Sequence, residues 1–238
     1  MVSSPSGLVT FLVRFFAASM DLGSVMFFRF ISYTRILVTP TISACIAFIF
    51  IPQNVLAEQT IIVIGDSLSS GYGLRIESSW VTMLQERMTA EGYGYEIINS
   101  SVPGDTSSGG LARLPGLLDS YSPVIVIIEL GGNDGLRGQS VEQLRENLRA
   151  MLRLTEAQGA MPILTGIQIP PNYGALYTSQ FAKTYPELSE EFSVPLVEFL
   201  MKGVALNSEL MQSDGIHPNE SGNRVMMENV WTILVNFL

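Results

Sequence analysis

The 238-residue chain contains a single histidine, His217, in the stretch Asp214-Gly215-Ile216-His217-Pro218 near the carboxyl end. A serine hydroxyl is a weak nucleophile until a neighbouring base takes its proton, and imidazole is the usual base near neutral pH. Any Ser–His chemistry in this chain must therefore run through His217. Asp214, three residues upstream on the same Gly-containing loop, is a candidate to hold the other ring nitrogen. The candidate nucleophile is Ser67, in Gly65-Asp66-Ser67-Leu68. It follows Ile61-Ile62-Val63-Ile64, a continuous apolar run suited to a strand buried on both faces of a parallel sheet. Open α/β sheets bind ligands outside the carboxyl ends of their strands, where Ser67 falls. Taken alone, the tetrapeptide also reads as a turn serine or a helix cap, and a lone histidine as a packed or solvated one.

Acyl chemistry also needs hydrogen-bond donors for a developing oxyanion. Two further strand-to-loop junctions offer them. Glu96-Ile97-Ile98-Asn99 leads into Pro103-Gly104-Asp105-Thr106, and Val124 to Leu130 leads into Gly131-Gly132-Asn133-Asp134. Glycine allows the backbone to approach a ligand closely, and an asparagine side chain supplies another donor. Gly, Asn and Asp also dominate turns for purely local reasons, so each loop by itself is equally a turn.

The blocks GDSL, PGDTSSGG, GGND and DGIHP occur in that order, with longer runs GDTSSGGLARLP, ELGGNDGLRG and IPPNYG around them. In these the sequence resembles the SGNH (GDSL) serine hydrolases, and within them the bacterial periplasmic multifunctional esterases described as acyl-CoA thioesterase, lysophospholipase and arylesterase. The resemblance spans Thr60 to Leu238 and does not reach residues 1–59. It implies Ser67 as nucleophile, His217 as base and Asp214 as orienter. It also implies the Ser67 N–H, the Gly104 N–H and the Asn133 side chain as oxyanion donors. The sequence does not depart from the family pattern at these positions. The implied activity is hydrolysis of carboxylic esters and thioesters through an acyl-enzyme, without a cofactor. Two alternatives are a carbohydrate O-deacetylase on the same fold and an acyl- or glycan-binding protein without turnover.

The elements that would position these residues alternate. Ser79 to Glu91 reads as an amphipathic helix, with Trp80, Met83, Leu84 and Met88 on one side and Gly92 closing it. A strand is predicted at Tyr95–Asn99, a helix at Gly110–Leu118 and a strand at Val124–Leu130. A helix at Val141–Gln158 follows, with Arg145, Arg149 and Arg153 as a solvated stripe. The remaining expectations are strands at Pro162–Ile169 and Pro195–Phe199 and a closing helix at Glu220–Phe237. Alternation of this kind argues for a parallel sheet covered by helices on both faces. With the resemblance it gives a three-layer α/β/α sandwich of about five strands, of flavodoxin-like type. An α/β-hydrolase is disfavoured because no G-x-S-x-G supports a nucleophile elbow. The segment Ile167 to Gly174, with Ile169, Pro170 and Tyr173, could wall an acyl groove or be strand-end packing.

Residues 1–57 differ in composition. They carry Arg14, Arg29 and Arg35 against one acid, Asp21. Arg29 and Arg35, the apolar run Ile36–Ile51 and Val55-Leu56-Ala57 have the layout of a secretory signal, with cleavage expected after Ala57. An ordinary signal length would start at Met20 or Met26. The apolar run is short of the ~20 residues of a spanning helix. Ile42-Ser43-Ala44-Cys45 also resembles a lipoprotein processing box, although the chain stays apolar after it. Cys45 is the only cysteine, so residues 58–238 can form no disulfide. That piece is sized for one hydrolase domain. With one histidine and no cysteine there, a zinc site is not expected. The chain carries 22 acidic against 13 basic residues. An acidic balance argues against nucleic acid or an anionic membrane as partner. The expectation is a periplasmic or secreted monomer acting on small esters and thioesters, with no stable membrane association after signal cleavage.

Overall fold

The computed structural model describes residues 59–238. The predicted signal segment, its cleavage site and Cys45 lie outside the described residues. The first strand, β1 (Gln59–Gly65), runs through the middle of a parallel sheet. Its partners are β2 (Tyr95–Asn99) on one side and β3 (Ile125–Glu129) on the other. Beyond β3 lie β4 (Met161–Thr165) and β5 (Leu196–Val197), giving the order β2-β1-β3-β4-β5. All pairings are parallel, with Ile61 opposite Ile97 and Ile125, and Ile125 opposite Met161.

The continuous apolar runs are explained by burial on both faces. Ile61, Val63, Ile125, Ile127 and Ile163 point to one layer, while Ile62, Ile64, Val126, Ile128 and Leu164 point to the other. The first layer is closed by α2 (Trp80–Glu91) and α7 (Glu220–Leu234). The second is closed by α3 (Ser107–Tyr121), α5 (Val141–Ala157) and α6 (Ala175–Phe192). Each fully buried Leu, Ile or Met contributes about 1.5–3 kcal/mol, so the two layers stabilise the fold without a disulfide. Two short helices, α1 (Ser67–Ser70) and α4 (Gly132–Leu136), sit at the carboxyl ends of β1 and β3.

Local chemistry sets most boundaries. Ser79 caps α2 by accepting from the Thr82 N–H, and Gly92 ends it in the left-handed conformation. The third helix starts three residues earlier than its apolar spacing predicts, because Thr106 caps it by accepting from the Gly109 N–H; it runs past Pro115 to Tyr121. The predicted fourth strand, Pro162–Ile169, is shorter than expected and stops at Thr165. Beyond Glu129 there is no β3 residue to pair with, and β5 supplies only two positions. Ile167 and Ile169 are apolar because they pack into the second layer. The closing helix ends at Leu234 and tightens into a 3₁₀ turn at Val235–Phe237. Helix α6 is absent from the sequence-based reading. It also revises the arginine stripe: Arg145 pairs with Glu187 at 2.5 Å and Arg149 with Glu191 at 2.8 Å, so two of its members tie α5 to α6.

Candidate active site

Strands β1 and β3 are neighbours in the sheet but leave in opposite directions along it, since β2 lies on one side and β4 on the other. Such a reversal opens a crevice at the carboxyl ends of the strands. Ser67 enters it from β1 and Asn133 from β3. Asp66 is the cap of α1, its carboxylate accepting from the Leu68 N–H at 2.9 Å, which makes Ser67 the first residue of the helix. Gly65 is required beneath this turn. A Cβ there would lie 2.7 Å from Glu129 Oε2 and 2.8 Å from Ser69 Cβ.

His217 reaches the turn from the loop before α7. Its Nε2 lies 2.9 Å from Ser67 Oγ, across 150 residues of sequence. Its Nδ1 lies 2.6 Å from Asp214 Oδ2. The other Asp214 oxygen accepts the backbone N–H groups of Ile216 at 2.9 Å and His217 at 3.0 Å. These hold the acid below its usual range, at about 2: the His217 N–H contributes most, then the His217 ring, then the Ile216 N–H. Asp214 is therefore ionised throughout the range in which an imidazole titrates. The loop is clamped from outside by Gln212, whose N–H donates to the His217 carbonyl at 2.7 Å. Gln212 Nε2 donates to the Tyr72 carbonyl at 2.9 Å and the Pro218 carbonyl at 3.0 Å. The Tyr72 ring packs beside the imidazole, centroids 4.7 Å apart.

Of the predicted donors, Asn133 is tied to Asp66 at the start of the Ser67 turn, and Gly104 to Arg137 at the end of α4. Gly104 adopts a positive φ of 78°, and its carbonyl accepts from Arg137 Nη2 at 3.0 Å. Among the described residues, neither the Gly104 N–H nor the Ser67 N–H has a hydrogen-bond acceptor. Asn133 Nδ2 donates one proton to Asp66 Oδ2 at 3.0 Å, which leaves its second proton free. The two donor loops are stitched together by buried Asp134, which accepts the Ser107 N–H at 2.8 Å and the Ser107 hydroxyl at 2.5 Å. Asn147 on α5 in turn donates to that hydroxyl at 2.9 Å.

Behind Ser67 lie two buried carboxyl groups. Burial raises Asp66 to about 6, against the Leu68 and Asn133 hydrogen bonds that pull it down. Glu129 is fully buried; burial, then the Asp66 charge, pushes it well above the usual carboxylate range. Its Oε2 accepts from the Ser69 hydroxyl at 2.6 Å and the Asp66 N–H at 3.3 Å, which fixes both ends of the turn that carries Ser67.

Of the residues expected to line a groove, Ile169 is buried in the core. It closes on Gly135 and Phe181, because a Cβ at Gly135 would lie 2.5 Å from its methyl and 2.8 Å from the Phe181 ring. Pro170 and Tyr173 are exposed. The Tyr173 hydroxyl donates to the Leu136 carbonyl at 3.0 Å, and the Tyr177 hydroxyl to the Gln139 carbonyl at 2.7 Å, fastening this segment to the chain after Asn133. Sequence reasoning missed the roles of Asp66, Glu129, Gln212 and Arg137. Asp66 carried a usable signal, its place inside GDSL; the others carried none.

A serine, imidazole and carboxylate strung together at the switch point of a parallel α/β sheet is the arrangement of a serine hydrolase. The chain belongs to the GDSL-like lipase/acylhydrolase family, whose profile matches residues 63–225, and it is an ester-cleaving enzyme of that family. It is 46% identical over 193 residues to "Esterase TesA" of Pseudomonas aeruginosa, covering 81% of this chain and 96% of that protein. It is 44% identical over 163 residues to "Thioesterase 1/protease 1/lysophospholipase L1" of Escherichia coli K12, covering 68% and 77%. The crystal structure of TesA superposes with a TM-score of 0.74 at 47% identity, over 76% of this chain and 100% of that one.

Proposed function

We propose that the protein hydrolyses carboxylic esters and thioesters through an acyl-enzyme on Ser67. One observation carries the reading: Ser67 Oγ at 2.9 Å from His217 Nε2, with Nδ1 of the same ring at 2.6 Å from Asp214. The hydroxyl attacks the carbonyl carbon as Nε2 takes its proton, and Asp214 stabilises the imidazolium that forms. The carbonyl oxygen becomes an oxyanion held by the Ser67 and Gly104 N–H groups and the second Asn133 amide proton. The imidazolium then protonates the departing alkoxide or thiolate. Water, deprotonated by the same ring, attacks the acyl carbon and releases the acid and free Ser67. The relatives' names, esterase and thioesterase/lysophospholipase, support both leaving groups. Exposed Leu136, on the helix that carries Asn133, and Tyr173, bonded to its carbonyl, offer apolar surface for an acyl chain.

The test is a panel of p-nitrophenyl acyl esters and acyl-CoA thioesters of graded chain length, run on wild type and Ser67→Ala. Wild type should turn over both classes. Ser67→Ala should lose more than about a thousandfold in kcat with an unchanged circular dichroism spectrum. A phosphonate ester should add one adduct to the wild type, at Ser67, and none to the variant. Near-normal turnover by Ser67→Ala would place the nucleophile elsewhere.

The segment 1–57 is read as an export signal, so the enzyme works in the periplasm or outside the cell as residues 58–238. No helix among the described residues is long and apolar enough to cross a membrane. Mass spectrometry of the exported protein should give Glu58 as the first residue. A lipid-bearing Cys45 terminus or an uncleaved chain would refute this.

A further inference from the structure

Asp66 is a buried acid, 2% exposed, wedged between the nucleophile turn and the helix that carries Asn133. Capping α1 does not require its charge. A cap needs one short-range oxygen for the Leu68 N–H, and Ser or Asn supplies that without burying a carboxylate. The second oxygen has a different partner, Asn133 Nδ2 at 3.0 Å.

An asparagine amide is nearly symmetric in shape and opposite in chemistry at its two ends. Rotated by half a turn, it presents an acceptor where it had presented a donor. An acceptor facing a developing oxyanion repels it. A neutral neighbour such as an amide or hydroxyl can hydrogen-bond either end and permits both states. An ionised carboxylate has only acceptor sites, so it admits the nitrogen and excludes the oxygen. Fixing one N–H of Asn133 against Asp66 therefore fixes where the second N–H points.

We propose that Asp66 is a positioning residue whose carboxylate holds the Asn133 amide in the one orientation that presents its free N–H to the oxyanion. The inference rests on the reading of Asn133 as an oxyanion donor. It gives a physical reason for retaining a charge in a site that opposes it. The groups facing Asp66 are Glu129 from β3, the Leu68 N–H from α1 and Asn133 from α4, with His217 and Asp105 acting through their charges. Burial and the Asp66 charge push Glu129 well above the usual carboxylate range, while the Leu68 and Asn133 hydrogen bonds favour the charged form of Asp66. Protonating Asp66 gives it a donor and removes the exclusion. The acid limb of kcat then has two origins, loss of the neutral imidazole and loss of the Asp66 charge.

The test is a double-mutant cycle on the full enzyme with a short-chain p-nitrophenyl ester. Asn133→Ala alone should lower kcat by about 10²–10³. Asp66→Asn should lower kcat by about ten- to a hundredfold, with KM within about twofold, because the interaction is made only in the transition state. In the Asn133→Ala background, Asp66→Asn should cost nothing further. The component of the acid limb that titrates with Asp66, at about 6, should be absent in Asp66→Asn, leaving a single ionisation. Asp66→Ser keeps a capping oxygen but cannot span to Asn133, and should show the same kcat loss, which guards against a folding defect in one variant. Losses that multiply in the double mutant, or a normal kcat in both Asp66 variants, overturn the proposal. A normal kcat in Asn133→Ala overturns the oxyanion reading beneath it, and that single variant tells the two failures apart.

Discussion

Replacing Asp66 by Asn should make the protein more stable while making it a slower enzyme. The carboxyl normally titrates at 3.8 and in the fold at about 6, chiefly because burial disfavours its charge. The folded state thus binds this proton more tightly than the unfolded chain does. Stability contributed here is greatest at low pH and falls as pH rises from about 4 through 6. A gap of about two pH units corresponds to a penalty of at most ~3 kcal/mol above pH 6, at about 1.4 kcal/mol per unit. Asparagine removes the charge and keeps the shape. Its oxygen can accept from the Leu68 N–H while its amide donates to a turned Asn133, so little hydrogen bonding is lost. The expected gain is about 1–3 kcal/mol at pH 8 and under about 1 kcal/mol at pH 4. Urea unfolding of wild type and variant at the two pH values measures it directly. The turned Asn133 that preserves stability is the state that fails in catalysis, so the two effects should appear together. No gain at pH 8, or an equal gain at both pH values, would refute the reasoning.

Asp214→Asn should lower kcat by about a thousandfold or more and move the rising limb of the pH–rate profile to lower pH, because the imidazolium loses its anionic partner. A small rate loss with an unmoved limb would mean that Asp214 does not orient the ring. Gly131→Ala should destabilise the fold by about 2–4 kcal/mol. The residue has φ of 122°, and an added Cβ collides with the Tyr185 hydroxyl, which is itself bonded to the Leu130 carbonyl at 3.0 Å. Thermal unfolding reads this, and adding Tyr185→Phe should recover part of the loss but not the strain. Arg137→Ala should lower kcat by a few-fold to tenfold, since the Gly104 carbonyl loses a fixing hydrogen bond that is solvent-exposed and individually weak. An unchanged kcat would free Gly104 from that tie.

Much of the candidate site is legible in the sequence because its parts are locally encoded. A chain with one histidine leaves one candidate base, and Asp214 lies three residues away on the same loop, where backbone N–H groups of that loop hold it. The first strand announces itself by four consecutive apolar β-branched residues, since a central parallel strand is buried on both faces. Ser79 and Gly92 mark the ends of α2 by chemistry confined to a single turn.

What the sequence left open depends on neighbours that only the fold supplies. The end of β4 is set by where β3 and β5 stop offering partners, so Ile167 and Ile169 look like strand and are core. Helix α6 carries Pro186 and polar residues on a pattern too mixed to read locally. It becomes a helix because Phe181, Tyr185 and Leu188 find the sheet face and because Glu187 and Glu191 find arginines of α5. The support beneath the Ser67 turn has the least local signal of all. Gly65 and Glu129 are 64 positions apart, and parallel pairing of β1 with β3 sets them side by side. That register brings the Glu129 carboxyl under Ser69 and Asp66, and Asn133 against Asp66. Charges and amides act over a few ångströms of space, and no spacing within either strand records which residue the other will bring.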